Sequence, residues 1–207
     1  MKRIIFVLAA LLMAGLTFAQ TAQEIVDRME AEMEKHENDG IIMTVDLKLP
    51  VVGTVTTKTY ARDEKMRVEG KLAGISVISW SDGKTEWSYN SKTNTVKIEN
   101  EKETEKDASD GDAEMFLGIT DGYDVSIEKE TADAWHILCK KSKTNTDKDA
   151  PKTLNLVVSK KNYYPISLKT KMSGVGLTLR DISFGVTESQ VTFNPKDYPG
   201  VKIEDKR

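Results

Sequence analysis

Two imidazoles and one thiol, His36, His136 and Cys139, are the chain's readiest means of acid–base or nucleophilic chemistry. Nucleophilic catalysis needs the thiol within hydrogen-bond reach of a base. Alternation along a strand puts Trp135, Ile137 and Cys139 on one side and His136 on the other, which parts the thiol from its nearest imidazole. Apolar burial also raises a thiol's pKa and leaves it inert. Neither a glycine-rich phosphate loop nor zinc-ligand spacing occurs. Carboxylates offer a second chemistry: Glu101, Glu103, Glu105, Asp107, Asp110, Asp112 and Glu114 could gather around Ca²⁺. Their spacing does not fit an EF-hand loop and lysines interrupt them, so a solvated acidic loop is expected. No metal, no cofactor and no enzymatic reaction follows from these residues.

The remaining chemistry is apolar. Met43, Val45, Leu47, Met66, Ile78, Trp80, Trp87, Tyr89, Met115, Phe116 and Met172 form an aromatic and methionine-rich set. Any one of them could be plain core. Methionine is also flexible and polarizable, which suits a surface that repacks around varied guests. A cavity lined by this set would take acyl chains, whose burial is worth about 0.8 kcal/mol per methylene.

These residues must be positioned by strands. Asp82-Gly83 between alternating apolar residues signals a two-residue hairpin turn. Centred there, the turn sets Trp80 opposite Thr85, Ile78 opposite Trp87 and Ser76 opposite Tyr89, with Ile75 and Val77 on the other face. A hairpin apolar on both faces is either packed on both or lines a cavity on one. Strands are expected at 41–49, 52–60, 65–69, 75–80, 85–89, 95–99, 123–129, 134–140, 153–159, 166–172 and 175–186. Short strands without intervening helices mean an antiparallel sheet curled into a barrel or partial barrel. Thr21-Ala22-Gln23-Glu24 is a capping box opening an amphipathic helix to about Glu37, stopped by Asn38-Asp39-Gly40. Residues 113–117 offer one helical turn with an apolar side, and 141–152 reads as a long mobile loop.

Met1-Lys2-Arg3, the apolar run Ile4 to Leu16 and Thr17-Phe18-Ala19 have the form of a secretory signal peptide cleaved before Gln20. Residues 20–207 then form one domain. Loss of Lys2 and Arg3 takes the formal charge from −3 to −5, a surface that repels nucleic acid. A single cysteine allows no internal disulfide, so an apolar core must hold the fold.

Asp82-Gly83-Lys84-Thr85 with Trp87 and Tyr89-Asn90, and the ending Phe193-Asn194-Pro195 through Gly200-Val201 to Glu204-Asp205-Lys206-Arg207, resemble the LolA family of periplasmic lipoprotein carriers. The resemblance implies a mostly β fold, a single curved antiparallel sheet forming an unclosed barrel, capped by an N-terminal helix and a short helical lid. It implies a monomer that takes acylated lipoproteins from an inner-membrane release complex to an outer-membrane acceptor. It also implies an arginine that latches the lid through lid backbone. Arg62 falls closest to that place, with Arg67 as rival, although Asp63-Glu64 replaces the family's proline-containing turn. A surface arginine paired with Asp63 or Glu64 is the alternative. Alternative functions are a binding module of the same fold for another apolar ligand or an envelope-stress partner, and a secreted structural domain with a filled interior.

Overall fold

The computed structural model describes residues 20–101 and 113–207. Residues 1–19, expected from sequence to be a signal peptide, and residues 102–112 of the acidic stretch lie outside the described residues. Helix α1, Ala22–Glu34, starts at the expected capping box: the Glu24 amide donates to Thr21 Oγ1 (3.2 Å) and the Thr21 amide to Glu24 Oε2 (2.9 Å). It ends before the expected Glu37, and a turn leads to Gly40. Gly40 has φ +67°, and a Cβ there would lie 2.6 Å from the Ala61 carbonyl oxygen, so the position admits no side chain.

The strands are β1 (Ile41–Leu49), β2 (Gly53–Arg62), β3 (Lys65–Leu72), β4 (Ile75–Ser81), β5 (Thr85–Asn90), β6 (Thr95–Asn100), β7 (Tyr123–Glu130), β8 (Ala134–Lys141), β9 (Thr153–Ser159), β10 (Pro165–Met172), β11 (Val175–Phe184) and β12 (Lys202–Asp205). Between β11 and β12 lies a short helix, α2 (Glu188–Val191). The first eleven strands match the alternation-based expectation closely. α2 and β12 are too short to show a period, and sequence patterning misses them.

All twelve strands belong to one sheet, ordered β12-β6-β5-β4-β3-β2-β1-β11-β10-β9-β8-β7. Its two ends do not pair, so the sheet is unclosed. Every neighbouring pair is antiparallel except β12, which lies parallel to β6. The expected mostly β, unclosed architecture is therefore present.

The turn between β4 and β5 departs from the expected register. Trp80 pairs with Trp87, Ile78 with Tyr89 and Ser81 with Glu86, which puts Gly83-Lys84 at the turn centre. Asp82 Oδ1 accepts from the amides of Lys84 (3.0 Å) and Thr85 (2.7 Å), holding Asp82 at the first turn position. Only Gly83 then needs positive φ (+79°), which spares Asp82 the strain of a turn centred on it. The shift is an even number of residues, so Ile78, Trp80, Trp87 and Tyr89 still share a face.

The 142–152 loop, expected to be mobile, is tied to the sheet's edge. The Ser142 amide donates to the Gly122 carbonyl (2.9 Å) and the Tyr123 hydroxyl to the Pro151 carbonyl (2.9 Å).

Candidate apolar ligand site

Paired residues in adjacent strands point the same way, so the register assigns each side chain to a face. The inner face is the one packed against α1. From β1 it carries Ile41, Met43, Val45 and Leu47; across β2 and β3 it continues through Val55, Thr57, Thr59 and Ala61 to Met66, Val68, Gly70 and Leu72. On β4 it carries Ile75, Val77, Ser79 and Ser81. In the other direction it includes Leu177, Leu179, Leu168, Leu156, Ile137 and Cys139.

This face has two regions. Under α1 it is solid: Ile25, Val26, Met29 and Met33 are fully buried against Ile41, Met43, Leu179, Leu156 and Cys139, and Phe116 closes the end. Each such side chain contributes roughly 1.5–3 kcal/mol relative to exposure. Polar ties from the helix are few. Arg28 Nη1 donates to the Tyr163 hydroxyl (2.9 Å), the Gly118 amide to Glu30 Oε1 (3.2 Å), and His36 Nε2 lies 2.5 Å from the Tyr164 hydroxyl. Beyond the helix the inner face carries Leu47, Val55, Met66, Val68, Ile75 and Val77, half-buried and outside the helix-packed cluster. Thr57, Gly70 and Ser79 between them are small, and a Cβ at Gly70 would meet the Thr57 methyl at 3.1 Å. An interior strand glycine often marks close approach by another group.

The outer face holds a second core. Trp80 is 3% exposed and meets Phe193 at 5.2 Å and Tyr198 at 5.6 Å between ring centroids, while Tyr89 meets Tyr198 at 4.8 Å. Val96, Val186 and Val191 complete it, fully buried. The C-terminal segment thus covers one side of the sheet and α1 the other. Burial holds the Tyr198 hydroxyl above its usual pKa.

The residues singled out by sequence therefore divide. Met43, Val45, Met115 and Phe116 join the helix-packed core, and Leu47 and Met66 the open strip. Met172 sits at a hairpin tip, 44% exposed. Ile78, Trp80, Trp87 and Tyr89 lie on the opposite face. Val55, Val68 and Leu177 belong to the inner wall and are absent from the sequence-based set. Counting register outward from Met43 would have found them.

Arg67 reaches the backbone of α2 and Arg62 the backbone just before it. Arg62 Nη1 donates to the Val186 carbonyl at 2.6 Å, just before that helix, and Arg67 Nη1 to the Gln190 carbonyl at 3.4 Å, within it. Arg67 also pairs with Glu69 at 2.5 Å and lies over the Trp80 and Tyr60 rings. The Arg62–Asp63 contact is 3.6 Å and exposed, a pair of small energetic weight. Both arginines hold the C-terminal cover of the outer face.

Cys139 is fully buried and the burial pushes its pKa up to about 11, as expected for an inert thiol. His136 projects to the other face of β8. Among the described residues no three His, Cys, Asp or Glu side chains gather as metal ligands. Among them, too, no helix is long and apolar enough to cross a membrane.

The described residues thus form one unclosed, almost wholly antiparallel sheet with an N-terminal helix packed on one face. No family model matches the chain, and no curated protein matches it in sequence. Solved structures similar to it include an uncharacterized conserved protein from Thermus thermophilus, at 19% identity and TM-score 0.45 over 89% of this chain and 99% of that one. A LolA superfamily protein from Nitrosomonas europaea matches at 11% identity and TM-score 0.35, over 86% and 100% of the two chains. The Pseudomonas aeruginosa MucA/MucB complex matches at 12% identity and TM-score 0.40, over 84% of this chain and 62% of that one.

Proposed function

We propose that this protein is an exported carrier that shelters the acyl chains of lipoproteins against the inner face of its sheet, without covalent chemistry. The observation that carries the reading is the half-buried strip of Leu47, Val55, Met66, Val68, Ile75 and Val77, an apolar wall that α1 leaves open beside its own packed core. A secreted structural domain would have no use for it.

Energetics suggest how a guest enters. Lifting α1 would expose Ile25, Val26, Met29 and Met33 together, and on the order of ten buried methylenes are needed to offset that. A long chain therefore begins on the open strip and displaces α1 only as more methylenes arrive. Short chains stay on the strip and bind weakly. Transfer needs such intermediate affinity, firm enough to keep acyl chains from water and weak enough to release them. Release from an inner-membrane complex and delivery to an outer-membrane acceptor, through the periplasm and after loss of residues 1–19, complete the proposal. Arg62 and Arg67 are proposed as the latch of α2.

Native mass spectrometry with a palmitoylated triacyl lipopeptide tests this. The expected result is a complex with the palmitoylated peptide, much less with an octanoylated one, and loss of both in Val68→Asp. A folded protein that takes up neither peptide would overturn the carrier reading.

A further inference from the structure

Three hairpin tips end the sheet on one side of the open strip. β3–β4, β1–β2 and β10–β11 are consecutive in sheet order, and antiparallel pairing turns all three tips to the same end. The tips carry the three most exposed large apolar side chains among the described residues, Val51 at 96%, Val52 at 65% and Leu72 at 60%, and also Met172 at 44%; Ile203 at 47% and Ile166 at 44% lie elsewhere. Two tips repeat one pattern, Lys71-Leu72-Ala73-Gly74-Ile75 and Lys171-Met172-Ser173-Gly174-Val175, each turning through two residues of positive φ. In both, the exposed apolar residue extends the inner face (Leu72 opposite Ile75, Met172 opposite Val175).

A lysine precedes each tip. Lys48, Lys71 and Lys171 are exposed, project to the outer side and enter no ion pair among the described residues. Lys48 and Lys171 both flank Gly176, which has no side chain to separate them. No carboxylate occurs in 48–54, 71–76 or 171–176, although acidic residues outnumber basic ones in the chain, 33 to 30. The rim is therefore an apolar lip with a cationic collar.

We propose that this rim docks the protein on an anionic lipid bilayer, with Val51, Val52, Leu72 and Met172 entering the interfacial layer and Lys48, Lys71 and Lys171 meeting lipid phosphates. Protein interfaces are built around aromatic and arginine anchors and are depleted in lysine, whereas aliphatic tips beside unpaired lysines suit a lipid surface. Such docking would bring the open end of the inner strip to the membrane, so the inference deepens the carrier reading and rests on it. Exposed apolar patches of this kind mark interaction sites.

The test is co-sedimentation of the purified protein with vesicles of phosphatidylethanolamine and phosphatidylglycerol, against vesicles of phosphatidylcholine alone. Binding is expected only to the anionic vesicles and is expected to fall with salt. The K48Q/K71Q/K171Q variant should bind them on the order of a hundredfold more weakly, about fivefold per lysine. V51S/V52S should bind more weakly too, while I203S, an exposed residue on the distant β12, should bind as the parent does. No sedimentation with anionic vesicles, equal binding to phosphatidylcholine, or undiminished binding by the lysine variant would overturn the inference. Lipopeptide uptake without vesicles is read separately. Uptake by the lysine variant with docking lost leaves both readings standing, and docking by a protein that takes up no lipopeptide sinks the carrier reading alone.

Discussion

Glu30 marks where the cover meets the turn that follows the acidic stretch. Burial raises its pKa above 4.5, the Gly118 amide bond pulls it partly back, and nearby Asp121, Asp27 and Glu34 push it up again. A carboxyl whose pKa is raised on folding favours the folded state when protonated, so its ionisation costs stability as the pH climbs through and above the ordinary glutamate range. Glu30→Gln keeps the acceptor for Gly118 and removes the charge. Thermal unfolding should show the variant slightly more stable at neutral pH, with the advantage fading as the pH falls toward about 4.5 and absent below it. An advantage that persists in acid would mean that the charge is not what Glu30 costs the fold. Asp46 behaves oppositely. The Arg180 guanidinium at 2.8 Å and the Thr56 hydroxyl at 2.6 Å hold its pKa low, so that contact supports the fold above the aspartate range and weakens in acid.

Among the elements, the two covers do different work. α1 packs over the inner face beside the proposed ligand strip, whereas α2 and the Phe193–Tyr198 segment pack over Trp80 on the outer face. Trp80→Ala should therefore lose about 3–5 kcal/mol of stability in denaturant unfolding and keep lipopeptide affinity wherever the protein remains folded. Val68→Asp should do the reverse, with a smaller loss of stability and a large loss of affinity. Most of the strand layout beneath these covers was latent in the sequence. Period-two runs such as Ile41 to Leu49 place strands well because half-buried strands must alternate. The parity of the Asp82-Gly83 hairpin was also legible, since its aromatic face survives the register shift. The outer core was not. It forms between β4–β6 and a segment about a hundred residues later, and local periodicity carries no information about which face such a segment will cover. Met43 and Trp80, offered by the sequence as one lining set, lie on opposite faces, because no local signal separates two apolar faces of one sheet.

At the scale of the whole molecule, the sheet has a filled side, an open strip and a rim, arranged in a line across its inner face. Burial under α1 fixes the fold, the half-buried strip lies outside the helix-packed cluster, and the hairpin tips expose aliphatic side chains with lysines behind them. The proposed carrier function stands on the strip. A palmitoyl lipopeptide with a photoreactive group on the acyl chain, crosslinked and mapped by peptide mass spectrometry, reads its location directly. Adducts are expected on the inner-face peptides holding Leu47, Val55, Val68 and Val77. Adducts confined to the outer-face peptides around Phe193 and Tyr198, or none from a bound and illuminated complex, would contradict a guest on the inner wall.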